Sequence, residues 1–219
     1  MKRIVTGVFI LFLVGLCTAC GNNVLQNSKT DSENPQSDTQ IEADEAASNE
    51  ESEAQEIVEK KEFLIAYFSR TGNTKELAEE ISSQTGGELF EIVPTEPYPA
   101  DYDETVERFR RERDENARPT IANSVKDMAH YDVIFIGFPN WGDDMPHIVY
   151  TFLEQYDFTG KTIVPFCTNG GGGFGNSIEG LSRTCPNSKI FEGFECSGNR
   201  VQSENGNIAE WLGSLGLEE

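Results

Sequence analysis

Positive charge is what this chain most lacks. Its 219 residues carry 17 Lys and Arg against 38 Asp and Glu, a formal net charge of -21. Binding DNA or RNA needs clustered cations, so the balance excludes nucleic acid as a partner. A partner with a basic face suits it instead. Histidine is nearly missing, with only His130 and His147. Cys167, Cys185 and Cys196, the cysteines within residues 61–219, show no CxxC and no Cys/His spacing that suggests a metal. No catalytic triad or paired carboxylate motif points to hydrolysis. Long apolar runs are absent after Leu16.

That first run is informative. Lys2 and Arg3 precede an uncharged apolar stretch from Ile4 to Leu16. As a helix it would be about 20 Å long, short of the roughly 30 Å hydrocarbon core of a membrane. It reads as an export signal rather than a span. Thr18-Ala19-Cys20 resembles the cleavage box of bacterial lipoproteins. The resemblance implies a lipoprotein signal peptide over residues 1–20, with Cys20 as the lipid-carrying mature N-terminus. Cys17 departs from that box, where Leu is usual, and a secreted protein cut nearby without lipid stays open. Acyl chains would hold the protein to the outer face of the cytoplasmic membrane without crossing it.

Residues 21–60 lack aromatics and have few large apolar side chains. Acidic residues dominate there, from Asp31 to Glu59, opposed by little besides Lys29. Such a segment cannot bury enough surface to offset its chain entropy, and it is expected to be a disordered acidic tether. A flexible chain of about 40 residues spans on the order of 35 Å, and self-repulsion extends it.

Residues 61–219 are the size of one domain. Three apolar runs, Phe63–Phe68, Asp132–Pro139 and Lys161–Thr168, are nearly continuous. That is the pattern of parallel strands covered on both faces. Glu88–Val93 and Lys189–Cys196 alternate more and read as edge strands. Helical spacing appears over Thr74–Ser83, Tyr102–Asn116, Met145–Tyr156, Phe174–Arg183 and Asn207–Leu215. Strands alternating with helices predict an α/β three-layer sandwich on a five-stranded parallel sheet, order 2-1-3-4-5. In that arrangement ligands sit outside the carboxyl ends of the strands, near the switch between strands 1 and 3. Cys167 falls in an apolar run and reads as a buried thiol. A Cys185–Cys196 bridge and two free thiols remain equally open.

Three loops meet at that edge. Ser69-Arg70-Thr71-Gly72-Asn73-Thr74 joins the first strand to the first helix, with hydroxyls, an amide and a glycine at a helix start. Free helix N–H groups there suit a phosphate held by neutral donors, although a plain cap and turn would use the same residues. The spacing is neither a P-loop nor GxGxxG. The third strand ends in Pro139-Asn140-Trp141-Gly142, a flat ring in a turn. The fourth ends in Thr168-Asn169 and a run of four glycines, then Phe174 and Gly175. Glycines in series let a flat ligand approach the backbone. A planar ring system carrying a phosphate tail would satisfy all three loops.

The stretches "YFSRTGNTKELAEEI", "GFPNWGDDMPHIVYTFLE" and "TNGGGGFG" together resemble the flavodoxin family, in its short-chain form and in a branch that often carries a lipoprotein signal. The likeness runs from about Phe63 to the C-terminus and includes "PYPADYDETVERFRRE". It implies flavin mononucleotide, FMN, as cofactor. The phosphate would rest on Ser69, Arg70, Thr71, Gly72, Asn73 and Thr74. Pro139, Asn140, Trp141 and Gly142 would hold one side of the ring system. Thr168, Asn169, Gly170, Gly173, Phe174 and Gly175 would complete the site. Asn140, Asn169 and Arg70 depart from the usual family residues.

The resemblance further implies an electron-transfer protein serving a separate redox partner. Asp143 and Asp144 are expected to disfavour negative charge on the reduced ring, and Arg70 to work the other way. Gly142 would let a nearby carbonyl swing toward a ring N–H. His147 reads as a helix-start residue rather than a proton carrier. One alternative is an NAD(P)H-dependent quinone or nitro reductase, usually dimeric, with Pro94–Asn123 shaping a substrate pocket. Another is a flavin-binding module without redox work.

Overall fold

Apolar runs with no polar face must be covered on both sides, and they form the middle of the sheet. The computed structural model describes residues 61–217. The expected signal peptide, Cys20 and the tether lie outside the described residues. In chain order the elements are β1 (Phe63–Tyr67), α1 (Asn73–Thr85), β2 (Glu88–Glu91), α2 (Tyr102–Asp114), β3 (Val133–Pro139) and α3 (His147–Gln155). They continue with β4 (Thr162–Asn169), α4 (Ser177–Thr184), β5 (Lys189–Ile190), β6 (Phe194–Ser197) and α5 (Asn205–Ser214). All pairings are parallel. The order is β2-β1-β3-β4-β5, and β6 also pairs with β4. The expected order 2-1-3-4-5 therefore stands, with its fifth strand in two pieces.

The break in that strand has a local cause. Odd-numbered residues of β4 turn their backbone toward it. The Ile163 carbonyl accepts from Phe191 N at 2.9 Å, and the Asn169 carbonyl from Gly198 N at 3.1 Å. Pro165 falls in that series and has no N–H to donate, so the ladder lapses beside it. Gly193 fills the gap: a Cβ there would come 2.6 Å from both the Phe174 ring and the Pro165 carbonyl oxygen.

Successive strand residues face opposite ways, so one sheet feeds two cores. Leu64, Ala66, Ile134, Ile136 and Phe138 pack with Ile148, Val149 and Phe152 of α3 and Leu181 of α4. Ile65, Val133, Phe135, Val164 and Phe166 pack with Leu77 and Ile81 of α1 and Ile208 and Trp211 of α5. Truncating one of the fully buried rings, such as Phe135, costs about 3–5 kcal/mol. The two cores also settle the cysteines. Cys185 lies in the first and Cys196 in the second, with the sheet between them. Both are free and buried, as is Cys167, so no bridge joins Cys185 to Cys196.

Helix ends follow their sequence signals. Gly86 closes α1 in the left-handed region, its N–H on the Ser82 carbonyl at 2.8 Å. Asp101 caps α2 by accepting from Glu104 N at 3.0 Å. Among the described residues, no helix is long and apolar enough to cross a membrane.

Candidate functional site

The loop from β1 to α1 turns at Gly72, whose φ of 95° favours glycine. Gly72 N donates to Ser69 Oγ at 3.1 Å, which folds the serine hydroxyl back into the loop. Gly72 is also the N-cap of α1, and having no side chain it caps nothing. The first-turn amides of α1 therefore lack a side-chain acceptor and point out of the helix start. Thr71, Asn73 and Thr74 stand there, on the wall of a cavity of about 750 Å3. Thr74 is buried, and its hydroxyl meets that of Thr168 at 2.8 Å.

Arg70 also lines this cavity, but its guanidinium is engaged elsewhere. Nε donates to the Pro99 carbonyl at 3.1 Å, and Nη2 to those of Ala100 and Asp101 at 2.6 and 3.2 Å. The cation straps the start of α2 to the first loop.

The loop after β3 contains a two-residue turn. Trp141 and Asp144 exchange backbone hydrogen bonds at 2.8 and 3.2 Å around Gly142 and Asp143, both at positive φ (57° and 66°). Positive φ at both central residues is the mark of a type I′ turn. Asp143 does not line the cavity, and its carbonyl accepts from Asn176 N at 2.7 Å. Asp144 is turned inward, accepting from Tyr150 OH at 3.0 Å and from Met145 N at 2.8 Å. Burial and that carboxylate push the Tyr150 hydroxyl up to about 12.

Trp141 is held edge-on by three rings: Phe68, Tyr98 and Phe109, with centroids 5.6, 5.1 and 5.9 Å away. Tyr98 is fixed in turn. Its hydroxyl donates to Glu112 at 2.8 Å, and the Arg108 guanidinium lies 4.0 Å above its ring. Arg108 and Glu112, both buried, pair at 2.7 Å. Burial first, then the Glu112 carboxylate, raises the Tyr98 hydroxyl far above its ordinary value.

Beyond β4, Asn169 closes its own turn by accepting from Gly171 N at 2.7 Å, and it donates to Glu195. Gly170 has an ordinary φ and nothing within 4 Å of a Cβ position, so its missing side chain leaves room in the cavity itself. Gly175 is different: a Cβ there would run into the Asp143 carbonyl. Asn140 ties the two loops, its N–H on the Thr168 carbonyl at 2.9 Å and its side-chain amide on the Gly173 carbonyl at 2.7 Å.

The structure thus brings most of the expected residues to one wall. Arg70, Thr71, Asn73 and Thr74 line it from the first loop, Pro139, Asn140, Trp141 and Gly142 from the third, and Thr168, Asn169 and Gly170 from the fourth. Ser69, Gly72, Gly173, Phe174 and Gly175 stand behind the lining and shape the loops. Phe174 packs on Phe138 with centroids 6.2 Å apart. His147 opens α3 and is buried, its Nδ1 2.9 Å from the Ala117 carbonyl. That acceptor places the proton on Nδ1 and fits the helix-start role.

Pro94–Asn123 is expected to shape a pocket only in the reductase alternative, and the structure puts Tyr102, Thr105, Val106, Phe109, Arg110 and Arg113 of α2, within it, on a further wall. Ser197, Gly198 and Asn199, at the end of β6 and beyond, form another wall, which was missed. The stripe at 102, 106, 109 and 113 was visible as helical spacing, but nothing in it named the surface it faces. Among the described residues no Asp or Glu lines the cavity, and its charged lining is Arg70, Arg110 and Arg113.

Comparison with known proteins bears on the fold and the family. No curated protein matches the chain. A flavoprotein from Bacteroides eggerthii is 36% identical, the alignment covering 68% of this chain and 98% of that one at a TM-score of 0.58. One from Bacteroides uniformis is 31% identical over 70% of this chain and 98% of the other, at 0.63. A flavoprotein from Lactobacillus acidophilus, solved in complex with FMN, is 24% identical over 65% and 97%, at 0.55. The family model described as flavodoxin matches residues 62–215, and the chain belongs to the flavodoxin family.

Proposed function

We propose that the cavity holds FMN and that the chain carries electrons between separate redox partners. One observation carries the reading: α1 begins uncapped at Gly72, its free amides beside Thr71, Asn73 and Thr74, on the same cavity wall as Trp141. A dianionic phosphate is the acceptor those amides lack. The open backbone at Gly170 leaves space for a flat ring near Trp141, and about 750 Å3 is ordinary for a cofactor site. The FMN complex of the Lactobacillus flavoprotein supports the choice of nucleotide.

When bound, FMN supplies one- and two-electron chemistry. The chain supplies position and field. Thr71, Asn73 and Thr74 hold the phosphate end. Pro139 to Gly142 and Thr168 to Gly170 bracket the ring. The Trp141, Asp143 and Asp144 carbonyls already accept backbone N–H groups, so that of Gly142 would be the acceptor for a ring N–H, and a glycine lets it be re-aimed. Outside the cavity, the acidic surface suits a partner with a basic face.

A reductase reading is favoured by the α2 wall, because a carrier has no need of a helix lining its cofactor cavity. Purified protein that is yellow, and that dithionite bleaches and air restores, supports a redox flavoprotein; a colourless protein that takes up no FMN ends that reading. Fast steady NAD(P)H oxidation with quinones and no added reductase ends the carrier reading and supports the other, in which a dimer is expected.

We further propose that Cys20 carries lipid and holds the domain outside the cytoplasmic membrane on its acidic tether. Partition of the wild type into detergent, lost in Cys20→Ala, supports this; equal partition of both removes it.

A further inference from the structure

Four of the chain's 17 Lys and Arg fall within Arg108–Arg113 on α2. Arg108 is bound to Glu112, and elsewhere Arg118, Arg183 and Arg200 each pair with a Glu. Among the described residues Arg110 has no hydrogen bond or ion pair, and Arg113 pairs with its chain neighbour Asp114 alone, at 2.9 Å, its guanidinium 6.0 Å from the centre of the Phe109 ring. Both line the cavity, which has no acidic side chain to answer them.

The first loop does not need these charges. Its donors are neutral amides and hydroxyls, and its own cation, Arg70, is engaged by three carbonyls. Arg70 reaches the carbonyl of Asp101, where α2 starts. Along the helix, Arg110 and Arg113 lie about 13 and 18 Å beyond that point. The cavity therefore has two cation-rich or donor-rich ends, with Val106 and Phe109 as an apolar face beside the far one. Phe109 itself abuts Trp141.

We propose that Arg110 and Arg113 form a second anion subsite, which takes the carboxylate or sulfonate of a small planar arene or quinone lying against Val106 and Phe109. The inference rests on the flavin reading for what fills the other end of the cavity. Guanidinium groups suit this task, because their planar donors match a carboxylate or sulfonate and stack on flat rings.

The test titrates full-length, FMN-loaded protein with naphthoquinone sulfonate and with neutral menadione, followed by the flavin spectrum and by calorimetry. The sulfonate should bind more tightly than menadione and weaken with salt. In Arg110→Gln its affinity should fall about tenfold, and further in Arg110→Gln/Arg113→Gln, with menadione and flavin content unmoved. Equal binding of the two quinones, or indifference to the substitutions, overturns the subsite. So does loss of flavin in the variants, which would assign the arginines to the cofactor. Failure of the flavin reading itself is seen separately, as a wild-type spectrum without flavin before any quinone is added; calorimetry then still reads the sulfonate.

Discussion

The hydroxyls of Thr74 and Thr168 lie 2.8 Å apart, and both residues are buried. This contact joins the start of α1 to the end of β4, the two walls between which a phosphate-bearing ring would sit. Replacing either threonine by Val leaves the other hydroxyl buried without a partner, at a cost of about 1–3 kcal/mol. The double Val variant should cost less than the sum of the singles. Urea denaturation of the four proteins measures this cycle, and strict additivity would mean that the hydroxyls are not coupled.

The glycines of the fourth loop should separate by role. Gly175 sits at positive φ, and a Cβ there would strike the Asp143 carbonyl. Gly175→Ala should lose more than about 2 kcal/mol of stability. Gly170 has open space and an ordinary φ. Gly170→Ala should keep its stability within about 1 kcal/mol while weakening flavin binding. Melting curves and flavin titration together read both arms.

The Arg108–Glu112–Tyr98 cluster supports Trp141 from behind. Glu112→Gln leaves buried Arg108 with only the exposed Glu96, 4.0 Å away, as countercharge, and a loss of stability approaching about 3 kcal/mol is expected. The fluorescence of Trp141 should change as Tyr98 loosens, whereas Arg113→Gln, on the exposed side, should leave stability nearly unchanged. Unaltered fluorescence in Glu112→Gln would show that the cluster does not position the ring.

Alkaline pH should destabilise the domain through its thiols. Burial pushes Cys167 up to about 12, and Cys185 and Cys196 up to about 11, from an ordinary 9.0. The folded chain then holds protons that the unfolded chain releases. These groups leave stability unaffected below pH 9.0, and stability falls as pH rises from there toward 11–12. A variant with all three replaced by Ala or Val should show a flatter decline in its urea midpoint. An identical decline would assign the effect to other groups, the raised tyrosines Tyr67 and Tyr131 first.

Much of the fold was legible in the sequence, because a strand covered on both faces must be apolar at every position. Phe63–Tyr67, Val133–Pro139 and Thr162–Asn169 are such strands. The split of the fifth strand was not legible in its own residues; its cause is Pro165, across the ladder. The first, third and fourth loops announced themselves through glycines and hydroxyls that no core needs. The α2 wall did so only as part of Pro94–Asn123 in the reductase alternative, with none of its residues singled out. Its stripe faces the cavity only because Arg70 ties its start to the first loop and Phe109 lies against Gly142, both long-range contacts. Asp143 and Asp144 follow Trp141 closely in sequence, yet neither is on the cavity lining.

The central claim is that uncapped amides at the start of α1 capture a phosphate ester. Calorimetry of the flavin-free domain with FMN and with riboflavin tests it most directly, since the two ligands differ only in that phosphate. FMN should bind at least about a hundredfold more tightly, as expected for several hydrogen bonds to a charged group. Equal affinity for the two, or heat from neither, would contradict it.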